Sequence, residues 1–189
     1  MKTLLVDVDE VICHPTLIDE INKFLHTNYR LTDFTEYYID DVLGSDENKQ
    51  KFYEIIKDKN MYEDAVLLDG VTDALKKLSK EYDIYICSAC AMFCLLKESG
   101  IYFKYKYDFL IKNFPFLNPE HFIFTGGKNI FKADAMIDDR PKNLMGDIGT
   151  RIMMLSYHNR DISDEELKKN KIIKVSSWAE IEDILLNKN

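Results

Sequence analysis

Short apolar runs alternate with amphipathic stretches along the 189-residue chain. A run of consecutive apolar residues predicts a strand buried on both faces, whereas apolar residues spaced by three and four predict a helix with one buried side. The segments that fit the strand pattern are 3–8, 82–87, 121–124, 133–137 and 151–155. Because helical segments separate them, we predict an α/β fold whose parallel sheet is covered by helices on both faces.

The helical segments fall into two groups. Those that alternate with the strands are 71–78, 91–98, 105–113 and a last helix after 177–180, which has the spacing of a capping box. The others lie in a polar, aromatic-rich stretch, at 17–25, 32–42 and around 52–56. We therefore predict an α/β core formed by residues 1–14 and 70–189, with a small helical domain, residues 15–69, inserted after the first strand.

The composition fits a globular protein and limits its partners. Hydrophobic residues make up 46% and charged residues 31% of the chain, which excludes general disorder. The net charge of −8 disfavours binding to a nucleic-acid polymer or to an anionic membrane. We expect a cytoplasmic protein, because the chain has no apolar run that could cross a bilayer and no signal-peptide pattern, and three of its four cysteines crowd together.

Acidic residues follow two of the predicted strands. Asp7 and Asp9 end the first strand, and Asp138 and Asp139 end the fourth. Ligands bind beyond the carboxyl ends of strands in such sheets, so we expect these side chains to converge in one crevice. Four carboxylates there would repel one another, and Mg²⁺ bound by oxygen ligands would relieve the repulsion. An acidic pocket of this kind is compatible with a phosphorylated substrate.

Two further polar residues belong to the same edge of the predicted sheet. Ser88 stands at the end of the second strand and can offer a hydroxyl and an amide to a phosphate. Lys128 follows a glycine pair and precedes the acid-tipped fourth strand, where an ammonium group can neutralise both carboxylates and a phosphoryl group.

These motifs resemble those of the haloacid dehalogenase (HAD) superfamily of phosphotransferases. The segment Asp7-Val8-Asp9-Glu10-Val11 is similar to its first signature, DxDx(T/V). Ser88, Lys128 and the Asp138-Asp139 pair occur in the order and strand positions of its other three motifs. Segments 85–88 and 128–141 most resemble the 5'(3')-deoxyribonucleotidase family, whose small helical cap matches the insertion. The resemblance implies a Rossmann-like HAD core with a cap.

The same resemblance implies a Mg²⁺-dependent phosphomonoesterase that acts on a small phosphorylated substrate, a (deoxy)nucleoside monophosphate. Asp7 would be the nucleophile that forms an aspartyl phosphate, and Asp9 the general acid and then the base. The groups it assigns to Mg²⁺ are Asp7, the backbone carbonyl of Asp9, Asp138 and Asp139. Ser88 and Lys128 would hold phosphate oxygens.

The chain departs from the family pattern at three positions near the phosphate. Glu10 stands where glycine is frequent, Ser88-Ala89 replaces Thr-Ser, and Gly127 replaces an aspartate before the motif lysine. No catalytic group is lost through these changes.

Substrate-contacting residues are less clearly marked than the catalytic ones. Met61 and Tyr62 stand where the family carries aromatic residues that stack on the base, although most cap aromatics are expected to form the cap's own core. Lys106 aligns with a family lysine, yet it belongs with Lys104 and Lys112 to a stretch that we interpret as a solvated helix face.

Three alternatives stay open on sequence alone. The chain could be a HAD phosphatase for another small phosphorylated metabolite. Cys87-Ser88-Ala89-Cys90 is compatible with a thioredoxin-like redox protein. A non-catalytic binder on the same fold is disfavoured, because it would need neither Asp7 nor Asp9. A homodimer is compatible with the sequence but not indicated by it.

Overall fold

The computed structural model describes residues 1–187 and confirms the α/β prediction. Six parallel strands form one sheet in the order β5-β4-β1-β6-β7-β8, and β2 and β3 form a separate antiparallel pair. The strands are β1 Lys2–Val6, β2 Cys13–His14, β3 Val66–Leu67, β4 Tyr82–Ser88, β5 Phe122–Phe124, β6 Lys132–Asp138, β7 Asp147–Met154 and β8 Ile172–Val175. The α-helices are α1 Leu17–Leu25, α2 Asp46–Ile56, α3 Val71–Leu78, α4 Ser99–Asn113, α5 Asp164–Lys169 and α6 Trp178–Leu186.

Alternate residues of the central strands feed two apolar clusters. Leu4 and Val6 belong to the larger cluster, which also contains the buried faces of α3, α4 and α6. Leu5, between them, belongs to a smaller cluster with Met136 and with Leu167 of α5. This alternation is the period of two along a strand, and it explains why the sheet strands read as continuous apolar runs.

The stretch between β2 and β3 contains α1 and α2, as the spacing of apolar residues predicts. The predicted helix at 32–42 is wrong, because only two short 3-10 helices form there, Leu31–Asp33 and Ile39–Leu43. The intervening chain is instead held against the core, where the Arg140 guanidinium lies 3.7 Å from the Tyr37 ring centre and Tyr157 Oη donates to the Tyr37 carbonyl.

The region after β4 also differs from the prediction. In place of a helix at 91–98, the chain forms a 3-10 helix at Phe93–Leu95 and then α4, which begins at Ser99 rather than near residue 105. Ser99 holds this turn, since its Oγ donates to the Leu95 carbonyl at 2.8 Å and accepts from the Met92 amide. Strand β8, which has only four residues, was not predicted.

Helix α6 begins after the N-cap Ser177, as the capping-box spacing predicts, but the Glu180 carboxylate reaches back to the amide of Ser176, one residue before the N-cap. Ser177 Oγ accepts from the Glu180 amide and also bonds the Glu180 carboxylate. The indole Nε1 of Trp178 donates to the Val11 carbonyl at 2.9 Å in a buried position, which ties this helix to the loop after β1. Among residues 1–187, no helix has the length and apolar character needed to cross a membrane.

Candidate active site

The ends of three adjacent strands meet at one edge of the sheet. Asp7 follows β1, Ser88 ends β4 and Asp138 ends β6, and β1 lies between the other two strands. The Asp7 amide donates to the Ile137 carbonyl at 3.0 Å, which sets the two acidic segments side by side. As expected from the sequence, one carboxylate oxygen from each of Asp7, Asp138 and Asp139 lies within 4.8 Å of the others.

Lys128 bridges two of these carboxylates from a buried position. Its Nζ lies 2.6 Å from Asp7 Oδ2 and 2.7 Å from Asp138 Oδ2, and the side chain is only 2% exposed. Burial by itself would lower the pKa of Lys128, but the two carboxylates outweigh burial and raise it. Burial would likewise raise the pKa of Asp7, yet Lys128 and Lys106 lower it. Asp7 is therefore an ionised carboxylate beside a charged ammonium group.

The Asp138-Asp139 pair is held by neighbours that the sequence did not reveal. Asp138 Oδ1 accepts from the Arg140 amide and from Asn143 Nδ2, both at 2.9 Å. Asp139 Oδ2 lies 2.6 Å from His158 Nε2. Burial lowers the pKa of His158, which disfavours a charged ring at this position. Each of these partners fixes a carboxylate that faces Asp7.

The three aspartates suit a hard divalent cation. Burial and the charge of Asp7 raise the pKa values of Asp138 and Asp139 well above the ordinary range, which shows negative charge that Lys128 alone does not balance. A cation at this point would stabilise all three carboxylates. Carboxylate oxygens with room for substrate and water are the ligands that Mg²⁺ takes.

Asp9 is held by two donors on its two oxygens. Tyr62 Oη donates to Asp9 Oδ1 at 2.7 Å, and Lys106 Nζ donates to Asp9 Oδ2 at 2.8 Å. Lys106 also donates to Ser88 Oγ at 2.9 Å and to the Ala89 carbonyl. Burial, with the charge of Asp9, raises the pKa of Tyr62 well above its ordinary value, so its phenol is a donor.

The interpretation of Lys106 as part of a solvated face is wrong. Its side chain is 1% exposed and turns into the site from the middle of α4, whereas Lys104 and Lys112 are exposed as expected. Lys106 therefore joins Ser88 and Lys128 among the donors that surround the two catalytic candidates.

Glu10, which replaces the frequent glycine, adopts a left-handed backbone conformation with φ of 61°. Such a conformation is unfavourable for a residue with a Cβ atom. Its buried carboxylate compensates, because Oε2 accepts from Ser156 Oγ at 3.0 Å and lies 3.0 Å from His14 Nδ1. The side chain thus links the loop after β1 to the loop after β7.

A cavity of about 1210 Å³ opens onto these residues. Asp7, Asp9, Ser88 and Lys128 line it together with residues of the inserted helical segment. The insertion contributes Tyr37, Tyr38, Tyr53, Met61 and Tyr62. Of the other aromatic side chains of the insertion, Phe52 is fully buried and packs edge-on against Phe24, whereas Tyr29 is 36% exposed. The expectation that most of the insertion's aromatics form its own core therefore fails for Tyr37 and Tyr38, which are exposed and line the cavity.

A family model described as "5' nucleotidase, deoxy (Pyrimidine), cytosolic type C protein" matches residues 1–189. The chain belongs to this family. A "Putative 5'(3')-deoxyribonucleotidase" of Staphylococcus aureus (strain Mu50) is 30% identical over 188 residues, 98% of this chain and 96% of the relative. The 5'(3')-deoxyribonucleotidase of Bacillus subtilis (strain 168) is 31% identical over 129 residues, 68% of this chain and 67% of the relative. The chain is thus a phosphoric monoester hydrolase.

Solved structures of HAD hydrolases share this fold. A HAD family hydrolase from Deinococcus radiodurans R1, crystallised with phosphate and sodium, has a TM-score of 0.56 at 14% identity and covers 99% of this chain and 96% of its own. A haloacid dehalogenase-like hydrolase from Xanthomonas campestris has a TM-score of 0.51 at 13% identity, covering 99% and 97%. The Rossmann-like HAD core expected from the sequence is therefore confirmed.

The redox alternative finds no support in the position of Cys87. This thiol is fully buried against Leu5 and Met136, and burial raises its pKa to about 12. Cys90 has a pKa raised to about 11, again by burial, so neither thiol forms the thiolate that exchange requires. Cys87→Ala tests a redox role directly, because it removes this buried thiol and leaves Cys90 and Cys94, which line the cavity, in place.

Proposed function

We propose that this phosphatase hydrolyses (deoxy)nucleoside monophosphates in a Mg²⁺-dependent reaction that passes through an aspartyl phosphate on Asp7. The observation that supports it most is the placement of an ionised Asp7 beside both Lys128 and the Asp138-Asp139 pair, with Asp9 one residue beyond Val8 in the same cavity. The nucleotide class is taken from the relatives' names and from the family description.

The proposed chemistry has two steps. A carboxylate oxygen of Asp7 attacks phosphorus while the bond to the leaving oxygen breaks, and Asp9 gives that oxygen a proton. Asp9, now a carboxylate, then takes a proton from the water that attacks the phosphoryl group, which restores Asp7 and releases phosphate. Asp9 is 38% exposed, so it can reach both the leaving group and water.

Charge on the transferred group would be balanced by donors already in place. Lys128 and Ser88 would hold two phosphate oxygens, and Lys106, within reach of Ser88, would supply a second ammonium group. Asp7, the Asp9 carbonyl, Asp138 and Asp139 would hold Mg²⁺. When bound, the ion would neutralise the developing charge on the phosphoryl oxygens.

The leaving nucleoside would occupy the part of the cavity lined by the insertion. We propose that the inserted segment, residues 15–69, acts as a cap over the substrate, with Met61 and Tyr62 at its inner surface. Met61→Ala should then alter the preference among nucleotides more than it alters turnover of p-nitrophenyl phosphate. Equal losses on every ester would show a structural role for Met61.

A substrate panel tests the proposed function directly. Ribo- and deoxyribonucleoside 5'- and 3'-monophosphates and sugar phosphates would be assayed with Mg²⁺, with EDTA, and with Ca²⁺ added. We expect nucleotide hydrolysis that EDTA abolishes, that Mg²⁺ restores, and that Ca²⁺ inhibits because of its looser coordination. Activity confined to sugar phosphates would favour the alternative of another small phosphorylated metabolite. Full activity in excess chelator would contradict the metal requirement.

A further inference from the structure

Tyr62 contacts the carboxylate that the mechanism uses as acid and base. Its Oη lies 2.7 Å from Asp9 Oδ1, although 53 residues separate the two in the sequence. The residue comes from the inserted segment, just before β3, whereas Asp9 belongs to the core. This hydrogen bond is therefore a direct link between the insertion and the proposed proton donor.

The Tyr62 ring is enclosed by protein. Lys106 Nζ lies 5.3 Å from the ring centre, and the Phe109 ring lies 5.5 Å away at a tilt of 43°. The residue is only 9% exposed. A ring with these neighbours offers little surface on which a nucleobase could stack, so the hydroxyl is the group that serves the site.

The backbone around Tyr62 is also fixed. The Tyr62 amide donates to Asn60 Oδ1 at 3.0 Å, and the carbonyl of the preceding residue, Met61, accepts from the Thr16 amide at 3.0 Å. Both the backbone and the ring of Tyr62 are therefore fixed by their neighbours. A side chain that orients another side chain must itself be held in this way.

We propose that Tyr62 is a positioning residue that holds Asp9 Oδ1, so that Asp9 Oδ2 faces the leaving oxygen of the substrate. This inference rests on the proposed function. Lys106, which contacts both Asp9 Oδ2 and Ser88, would turn toward the phosphate when substrate binds and leave Oδ2 free. Oδ2 would then take up a proton from solvent, which it can reach because Asp9 is 38% exposed. As the Asp7–phosphorus bond forms and the phosphorus–oxygen bond of the ester breaks, the Oδ2 proton moves to the leaving oxygen. The Asp9 carboxylate that remains keeps its hydrogen bond from Tyr62.

The test separates positioning of the acid from a merely structural role. Tyr62→Phe removes the hydroxyl and keeps the ring. Tyr105→Phe is the matched control, because Tyr105 Oη also joins α4 to the insertion, through the Asp58 carbonyl at 2.8 Å, without touching Asp9. Alcohol release would be followed in single turnovers, with enzyme in excess, for a nucleoside 5'-monophosphate and for p-nitrophenyl phosphate. The thermal melting point of each variant would show whether it folds.

A nucleoside alkoxide needs a proton to leave, whereas p-nitrophenolate does not. We therefore expect Tyr62→Phe to slow release from the nucleotide about tenfold, the size of one hydrogen bond to a charged group, and to change the nitrophenyl ester little. Tyr105→Phe should leave the ratio of the two rates at the wild-type value. An equal loss on both esters, or no loss on either, would overturn the positioning role alone. Wild-type enzyme that released no alcohol from either ester would overturn the proposed function and this inference with it.

Discussion

Lys128→Met should destabilise the protein strongly as well as inactivate it. The substitution keeps the length of the side chain but removes the ammonium group that bridges Asp7 and Asp138. Asp138 is fully buried, and Lys128 and Asp7 are nearly so. Removing one partner of a buried ion pair leaves an uncompensated charge and costs about 3–5 kcal/mol of unfolding free energy. In a chain of this size, each kcal/mol corresponds to a melting-point shift of about 2–4 °C. The expected decrease in melting point is therefore about 6–20 °C.

Lys132→Met provides the matched control. Lys132 also pairs with an aspartate, Asp147, at 3.0 Å, but its side chain is 84% exposed. An ion pair in water contributes almost nothing measurable, so this variant should melt as the wild type does. Calorimetry of the three proteins in metal-free buffer isolates the burial of the charge as the cause of the difference.

The pH dependence of the Lys128→Met defect gives an independent check. In the wild type, Lys128 helps to lower the pKa of Asp7. The ion pair between them therefore stabilises the fold above the ordinary carboxyl pKa, and this stabilisation is lost as pH falls through the lowered pKa of Asp7. Without the ammonium group, the buried carboxyls bind protons more readily. The loss of stability should therefore be smaller at mildly acidic pH than at neutral pH. Equal melting points for the two lysine variants, or a loss independent of pH, would refute the reasoning.

Three further predictions concern residues around Asp9. Lys106→Met should lower kcat/KM for a nucleotide about a hundredfold, because Lys106 contacts Asp9 and Ser88, whereas Lys104→Met on the exposed side of α4 should leave it unchanged in steady-state assays. Glu10→Gly should unfold at a higher denaturant concentration than Glu10→Ala, because only glycine adopts a φ of 61° without strain, and the opposite order would argue against strain at this position. The hydrogen bond that the Glu10 carboxylate accepts from the His14 ring raises the pKa of His14. This pair therefore stabilises the fold below the ordinary histidine pKa and loses that effect as pH rises through the raised value. In an NMR titration, Glu10→Gln should lower the pKa of His14.

The positions of the carboxylates and of Lys128 could be predicted because these residues lie next to strands. Buried strands are visible as apolar runs, and in a parallel sheet their ends share one edge, so Asp7, Ser88 and Asp138 must meet there. Lys128 comes within reach of that edge because it lies in the segment that leaves the carboxyl end of β5. The positions of these residues follow from topology, which the alternation of strands and helices determines.

Lys106 and Tyr62 could not be placed in the same way. The apolar residues of α4 do not form a single stripe, since aromatic and lysine residues alternate along it, so the buried side of the helix is not evident in the sequence. The contact of Tyr62 with Asp9 depends on how the insertion folds back over the core, and no local pattern encodes that approach. His158 and Asn143 support Asp139 and Asp138 from loops whose conformation depends on the same tertiary contacts.

Two expectations about the whole protein stay predictions. A homodimer would be recognised by light scattering at several protein concentrations, and a cytoplasmic location by fractionation of cells that express the chain. Neither result would alter the geometry of the Asp7, Lys128 and Asp138 cluster.

The intact mass of the protein during turnover tests the central claim, the separate roles of Asp7 and Asp9. Asp9→Asn retains the nucleophile but lacks the base for the second step, so its reaction with p-nitrophenyl phosphate should give a burst of nitrophenol and a protein heavier by one phosphoryl group on Asp7. Asp7→Asn should give neither the burst nor the heavier protein. Two results would contradict the account. One is that Asp9→Asn releases nitrophenol while no phosphorylated protein is detected at any time point. The other is that the phosphoryl group still appears on Asp7→Asn.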